Sequence, residues 1–271
     1  MLKTILARLH QKHQTMNYPD EAPVLPELFR GYPLLMPEKC PDGCVDCVAA
    51  CPYGAIETKS GERRAAGGEK RTRSVVLDMG KCIFCNECAG ACPHGAITFT
   101  TDHRLATGSR EELLVAPTNG HPLARALEEK LLKLYGRSLK LREVSAAGCN
   151  ACEADTNVLN TVGFDLGRFG IQFVASPRHA DGIFITGPVS ENMRAALLQT
   201  WEAIPEPRIA IACGACAIGG GPFRGNPEIH NGVGDLIPID LYIPGCPPHP
   251  LTILDGLLRL IGNVDVTGPN D

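Results

Sequence analysis

Eight of the thirteen cysteines in this 271-residue chain fall in two runs, Cys40-Pro-Asp-Gly-Cys44-Val-Asp-Cys47-Val-Ala-Ala-Cys51-Pro52 and Cys82-Ile-Phe-Cys85-Asn-Glu-Cys88-Ala-Gly-Ala-Cys92-Pro93. Thiolates so closely spaced are ligands of soft metals and of iron–sulfur groups. The second run has the pattern C-x2-C-x2-C-x3-C-P of proteins that carry a pair of [4Fe–4S] clusters; the first has one extra residue between its opening pair. In that arrangement three cysteines of a run hold one cluster and the fourth reaches across to the other. The ligand sets are then Cys40, Cys44, Cys47 and Cys92 for one cluster, and Cys82, Cys85, Cys88 and Cys51 for its neighbour. Structural zinc is the alternative. It uses separated C-x2-C pairs and has no need of three close thiols followed by a fourth and a proline.

The elements that must position these residues can be read from the repeat. Cys-Pro-Tyr-Gly-Ala-Ile-Glu at 51–57 is answered by Cys-Pro-His-Gly-Ala-Ile-Thr at 92–98. Each half therefore reads as a cysteine loop, a short helix ended by proline and a strand through Ile56 or Ile97, with an exposed Gly- and charge-rich hairpin or loop at 59–73 between them. Tyr53 and His94 sit at equivalent places after the prolines; His94 is either a hydrogen-bond donor to its cluster or a surface turn residue.

From Ser138 the pattern changes. Short apolar runs at 139–144, 171–174, 182–186, 208–212 and 239–243 alternate with helical segments, notably 190–201 and 249–261. This is the pattern of buried parallel strands with crossover helices, a flavodoxin-like open sheet. The five remaining cysteines follow three of these strands: Cys149 and Cys152, Cys213 and Cys216, and Cys246. The carboxyl ends of the strands line the crevice of such a sheet, so three distant loops bring thiols to one place. A third [4Fe–4S] cluster on Cys149, Cys152, Cys216 and Cys246 is expected, with Cys213 at its strand end as a buried free thiol.

The expected organisation is a helix and extended segment at 1–37, an α+β ferredoxin-like domain with two [4Fe–4S] clusters at 38–102, a linker with a helix at 103–137, and the α/β open-sheet domain at 138–271. Leu2, Ile5, Leu6 and Leu9 recur at helical spacing among Lys3, Arg8, His10, Lys12 and His13. That is a short basic amphipathic helix, available to a partner or a membrane surface, or packed on its own domain. The proline-rich stretch 19–37 is expected to be extended and clamped onto the ferredoxin-like unit or a neighbouring subunit. In the linker, turns at 107–109 and 117–122 precede a helix at 123–135 with Leu127, Leu131, Leu132 and Leu134 as its apolar stripe.

Composition excludes other classes. The formal net charge is −4 and aromatics are 5% of residues, so nothing advertises nucleic-acid binding. No apolar run approaches the eighteen or so residues of a membrane span. The opening Met1-Leu-Lys-Thr-Ile does not read as a secretory signal. Cysteines grouped for metal ligation fit a reducing cytoplasm.

Residues 138–262 resemble the small subunit of formate hydrogenlyase-type, membrane-associated (group 4) [NiFe] hydrogenases, a family related to the 20 kDa subunit of respiratory complex I. The matching words are Cys149-Asn-Ala-Cys152-Glu153, Arg168-Phe-Gly170, Ser176-Pro-Arg-His-Ala-Asp181, Thr186-Gly-Pro-Val189, Gly214-Ala-Cys216 and Asp240-Leu-Tyr-Ile-Pro-Gly-Cys-Pro-Pro248. Residues 16–100 resemble the polyferredoxin subunit of the same complexes, related to the 23 kDa subunit of complex I, through Tyr18-Pro19, Phe29-Arg-Gly31 and Lys81-Cys-Ile-Phe-Cys85. The resemblance implies a fusion of two subunits that are normally separate. It also separates two branches: complex I subunits of this type have adjacent cysteines in the first motif, whereas Asn150-Ala151 divides Cys149 from Cys152, as in the hydrogenases.

What the resemblance implies is an electron-transfer subunit with three [4Fe–4S] clusters in a membrane-associated hydrogenase or hydrogenase-related complex. Its partners would be a hydrogenase-type large subunit, membrane subunits and a ferredoxin or formate dehydrogenase-type redox partner. It would sit on the cytoplasmic face of the inner membrane, held there by those subunits. Glu153 is the candidate proton relay, while Arg168, Arg178 and His179 are candidates for the cluster or partner interface. His249 follows Cys246-Pro-Pro and is expected to open a helix. No Ser/His/Asp triad, phosphate loop or His-rich zinc motif appears, so the chain is expected to be an enzyme only as part of a multisubunit oxidoreductase. The alternatives are a complex I-like quinone reductase subunit and a free-standing ferredoxin-type shuttle.

Overall fold

The computed structural model describes residues 2–41, 43–65, 68–117, 120–135 and 138–264, with the backbone alone at 59–65, 68–74 and 130. Parts of the turn expected at 117–122, and the ends of the segments drawn at 103–137 and 138–271, lie outside the described residues. A first helix, α1 (Leu2–Gln11), and an extended strap lead to β1 (Pro33–Leu35). The first cysteine run then forms α2 (Asp46–Ala50), followed by β2 (Ile56–Ala65), which turns back as β3 (Gly68–Asp78) in an antiparallel hairpin. The second run forms α3 (Glu87–Gly90) and β4 (Ile97–Phe99). Each of these helices is one turn long because a Cys-Pro step follows it: proline has no amide hydrogen to donate and pushes the residue before it out of the helical region.

The strap is fixed at both ends. β1 pairs antiparallel with β4. Just before it, Gly31 donates its amide to the Thr100 carbonyl at 2.7 Å. A Cβ on Gly31 would fall 1.9 Å from the Asp102 carbonyl oxygen, so only glycine permits this approach. Earlier in the strap, Arg168 donates to the Met16 and Tyr18 carbonyls at 2.9 and 2.8 Å. The Tyr18 ring is buried, and its hydroxyl donates to Asp255 at 2.7 Å. Asp255 in turn accepts from Arg259 at 2.8 Å, and both are fully buried.

The second half holds a five-stranded, all-parallel sheet. After β5 (Leu114–Val115) and α4 (Glu129–Tyr135) come β6 (Leu139–Ser145), α5 (Ala151–Val158), β7 (Ile171–Phe173), β8 (Gly182–Thr186), α6 (Glu191–Glu202), β9 (Ile209–Cys213), α7 (Ala215–Gly219), β10 (Leu241–Ile243) and α8 (Pro250–Leu260). The spatial order is β7-β6-β8-β9-β10. Counted from β6 this is 2-1-3-4-5, the flavodoxin-like order, with its topological switch between β6 and β8. Both faces of β8 and β9 are buried, as the continuous apolar runs require. Phe184, Ile209, Ile211 and Cys213 face a core filled by α8. Ile183, Ile185, Ala210 and Ala212 face a second core, which continues without a break into Ile56, Leu77, Met79 and Ile97 of the ferredoxin-like unit.

Residues 103–117 and 120–127 knit the two halves together. β5 pairs with β3, while Thr107 and Tyr242 exchange amide–carbonyl bonds of 3.0 and 2.9 Å at the outer edge of β10. Arg110 grips Asp78 with both terminal guanidinium nitrogens, at 2.8 and 2.6 Å. The helix expected at 123–135 is shorter than its leucine spacing implies and begins at Glu129. Leu123 and Ala124 are buried outside any helix, and the Leu127 amide is drawn to the Leu260 carbonyl at the end of α8, 3.0 Å away. Leu134 consequently faces solvent.

The buried Tyr18–Asp255–Arg259 chain generates a stability prediction. Tyr18→Phe should cost about 1–3 kcal/mol by removing a donor from a buried carboxylate. Arg259→Leu should cost about 3–5 kcal/mol by leaving Asp255 without its counter-charge. Urea denaturation midpoints of the two variants against the parent test this ordering.

Candidate iron–sulfur sites

The two cysteine runs enclose two small cavities. Cys40, Cys44, Cys47 and Cys92 line one, with Leu35 and Ile97 among its apolar walls. Cys51, Cys82, Cys85 and Cys88 line the other, with Ile56, Leu77 and Phe99. In each, three thiols come from one run and the fourth from the other. Backbone amides point at sulfur: Ala55 to Cys51, Phe84 to Cys82 and Ala96 to Cys92, each at 3.3 Å. His94 lines the first cavity and Tyr53 the second, so the equivalent positions of the repeat face equivalent sites.

These environments oppose ionisation of the bare thiols. Burial, then the charges of Cys40 and other members of its set, push Cys47 up. Burial raises Cys82 to about 12 and Cys88 to about 11, reinforced by Cys51 and Cys85. A thiolate ligand must be deprotonated, so such a set needs positive charge at its centre. Among the described residues no three His, Cys, Asp or Glu side chains gather tightly enough to hold a single metal ion. Each set of four thiols instead lines its own cavity.

A third group forms where β6, β9 and β10 end. Cys149 precedes α5 and Cys152 lies in its first turn, Cys216 lies in the first turn of α7, and Cys246 lies between β10 and α8. The last two loops are bonded together: Gly214 donates to the Ile243 carbonyl and Ala215 to the Gly245 carbonyl, both at 2.8 Å. Gly214, with φ +90°, allows the close approach of Cys152, whose Sγ would lie 2.6 Å from a Cβ there. Burial raises Cys152 and brings Cys216 to about 12, and the charges of this group act on one another in both cases. Cys149 and Cys246 are exposed, so the group opens to the surface. Cys213 is fully buried in the core under α8.

Glu153 is buried beside Cys152, and its Oε1 accepts from the Thr186 hydroxyl at 2.6 Å. Burial would raise its pKa, but hydrogen bonds from Ser145 and Thr186 outweigh this and hold it below the usual range. Sequence reasoning missed its neighbour Glu143. That carboxylate has a buried Oε1 with no hydrogen-bond partner, and burial followed by the Glu153 charge raises its pKa to about 7. The signal was available: in 139–145 the apolar positions Leu139 and Leu141 are followed, at the next alternate position, by an acid.

Of the other expected residues, His249 caps α8, its Nδ1 accepting from the Leu251 amide at 3.2 Å. Arg168 serves the strap and stacks over Phe169, not the thiols. Arg178 and His179 are exposed on a short turn. A cleft reaches from Cys246 to Cys85, and Phe29, Phe84 and His249 line it. Phe29 meets His249 edge to face at 5.3 Å, and Arg30 donates to the Phe84 carbonyl at 3.0 Å. Thr252, fully buried, also lines this cleft, and its buried hydroxyl has no hydrogen-bond partner.

Residues 9–97 match the 4Fe–4S dicluster domain, and residues 149–260 match the NADH ubiquinone oxidoreductase, 20 Kd subunit, family. A probable membrane-bound hydrogenase subunit, mbhJ, of Pyrococcus furiosus is 39% identical over 48% of this chain and 77% of its own length. The chain belongs to the 20 Kd subunit family. Formate hydrogenlyase subunit 7 of Escherichia coli, 37% identical over 56% of the chain, is a further relative of this 20 Kd subunit-type protein, which spans 64% of that relative's length. A chain of the membrane-bound sulfane sulfur reductase, an archaeal respiratory membrane complex, is 32% identical over 52% of this chain and 80% of its own, with a TM-score of 0.43. As expected from the motifs, the 20 Kd subunit-type domain here follows a dicluster domain in one chain.

Two predictions follow from this geometry. Gly214→Ala should destabilise the protein by about 1–3 kcal/mol, through its backbone conformation and the Cys152 contact, whereas Gly90→Ala, with open space around it, should be neutral; denaturation midpoints compare them. Glu143 keeps its proton in the folded chain up to about 7, against 4.5 ordinarily, so stability falls as pH rises through that window. Glu143→Gln should remove this fall and leave the variant about 1–2 kcal/mol the more stable at pH 8, with partial solvent screening included. Denaturation curves taken across the pH range measure it.

Proposed function

We propose that this chain is the electron-transfer subunit of a membrane-associated hydrogenase or hydrogenase-related complex, and that it holds three [4Fe–4S] clusters. Cys40, Cys44, Cys47 and Cys92 would hold one, Cys51, Cys82, Cys85 and Cys88 the second, and Cys149, Cys152, Cys216 and Cys246 the third. Such clusters supply reversible one-electron transfer when bound. The grouping of the thiols around two cavities and one loop cluster carries this reading, and the chemistry of the donor set supports it.

The residues between the sites have their own work. Amides aimed at Cys51, Cys82 and Cys92 disperse charge on the sulfurs and tune potential. Apolar walls exclude water from the first two sites. Cys85 shares a cleft with Cys246, so the electron path runs from the third site through the surroundings of Phe29, Phe84 and His249 to the Cys85 set. From there it passes to the Cys40 set, since Cys47 of that set and Cys82 and Cys88 of the other lie in one buried core. The exposed side of the third site, at Cys149 and Cys246, is the face for a hydrogenase-type large subunit. Beside it Glu153 would hand protons toward that partner, with Thr186 keeping the carboxylate oriented.

Membrane subunits and a ferredoxin or formate dehydrogenase-type protein complete the assembly in this reading, peripheral on the cytoplasmic face of the inner membrane. No described helix is long and apolar enough to cross a membrane. The complex I-like alternative draws on the 20 Kd family description. The two-residue gap between Cys149 and Cys152 favours the hydrogenase branch.

Anaerobically purified protein should contain about twelve iron and about twelve sulfide per chain. Cys246→Ser should remove about one third of each and one of three reduced-state EPR signals, sparing the ferredoxin-like pair. Zinc in place of iron, or about eight iron unchanged by Cys246→Ser, would overturn the assignment.

A further inference from the structure

We propose that α1 is a surface-lying helix that binds anionic lipid directly. The proposal adds lipid contact to the association through membrane subunits described above, and either can fail without the other. None of the ten residues of α1 is buried. Leu2, Ile5, Leu6 and Leu9 are 72%, 56%, 56% and 70% exposed, although their i, i+3, i+4, i+7 spacing sets them in one stripe. At 100° per residue Lys3 and His10 fall on one flank of this stripe and Arg8 on the other. That is the layout of a helix lying in an interface, apolar side down and cationic side chains reaching up to headgroups.

Charge identifies the surface. Residues 1–19 contain Lys3, Arg8 and Lys12 and no Asp or Glu, in a chain of net charge −4. A contiguous basic and apolar segment in an otherwise acidic protein is complementary to an anionic bilayer, where each cation near the surface strengthens binding about fivefold. The chain also fixes where the helix leaves the body: Met16 donates to the Gly163 carbonyl at 2.9 Å, and Arg168 grips the Met16 carbonyl. α1 therefore projects from a fixed anchor a few residues away, with its apolar stripe covered by nothing among the described residues.

Vesicle flotation of the full-length, iron-loaded protein tests this. Binding to phosphatidylcholine vesicles containing about 30 mol% phosphatidylglycerol should exceed binding to pure phosphatidylcholine at least about tenfold, and should weaken in about 0.5 M salt. Leu6→Glu with Leu9→Glu should bring binding to the neutral-vesicle level. Lys3→Gln with Arg8→Gln and Lys12→Gln should lower it by about two orders of magnitude. All these residues are exposed, so iron content should match the parent's in both variants. Equal binding to neutral and anionic vesicles, binding to neither, or undiminished binding by either variant would overturn the proposal; binding to neither would favour a protein groove or a second copy of the chain as the cover for α1.

Discussion

Crowded, buried sulfur is the constraint from which the rest of this structure follows. Cys82, Cys88, Cys152 and Cys216 all lie where burial and neighbouring thiols resist a negative charge. A protein does not gather such groups for packing alone, because small apolar side chains would fill the same space without the repulsion. The arrangement becomes favourable when positive iron sits among the sulfurs, and folding and cluster binding are then one linked equilibrium. Local backbone serves the same end. One-turn helices stopped by Pro52 and Pro93 keep each loop tight, and Gly214 lets Cys152 approach where a side chain would stand.

A second requirement is that the thiol groups keep their spacing. The two halves are not joined by a slack linker. Thr107 extends the edge of β10, β5 adds to the ferredoxin-like hairpin, and one apolar core runs from Leu77 and Met79 to Ile183 and Ala212. The strap adds further ties, with Gly31 against Asp102 and Tyr18 against Asp255. Electron transfer between fixed centres benefits from this rigidity, and the cleft from Cys85 to Cys246 owes its shape to it.

Much of this was legible because the deciding signals were local. Runs such as Gly182–Thr186 and Ile209–Cys213 are short, apolar and rich in β-branched residues, which fits buried strands best, and strands form there. The repeat of Cys-Pro-x-Gly-Ala-Ile located β2 and β4. What escaped depended on distant partners. The leucines after Pro122 have helical spacing, yet the Leu260 carbonyl captures the Leu127 amide and the helix starts late. Arg168 looked like a site residue from its motif, but it is spent on two carbonyls of the strap, some 150 residues away in sequence. Glu143 was overlooked although it interrupts an apolar alternation, because a charged residue in a strand usually means the solvent face.

Electron transfer along this chain depends most on continuity between the third thiol group and the Cys85 set. EPR of the fully reduced, anaerobic protein measures that continuity through magnetic coupling of neighbouring reduced clusters. Lines broadened by spin–spin interaction, and sharpened in part when Cys246→Ser removes the third centre, are the expected result. Three non-interacting signals, or a spectrum that Cys246→Ser leaves unchanged, would contradict it.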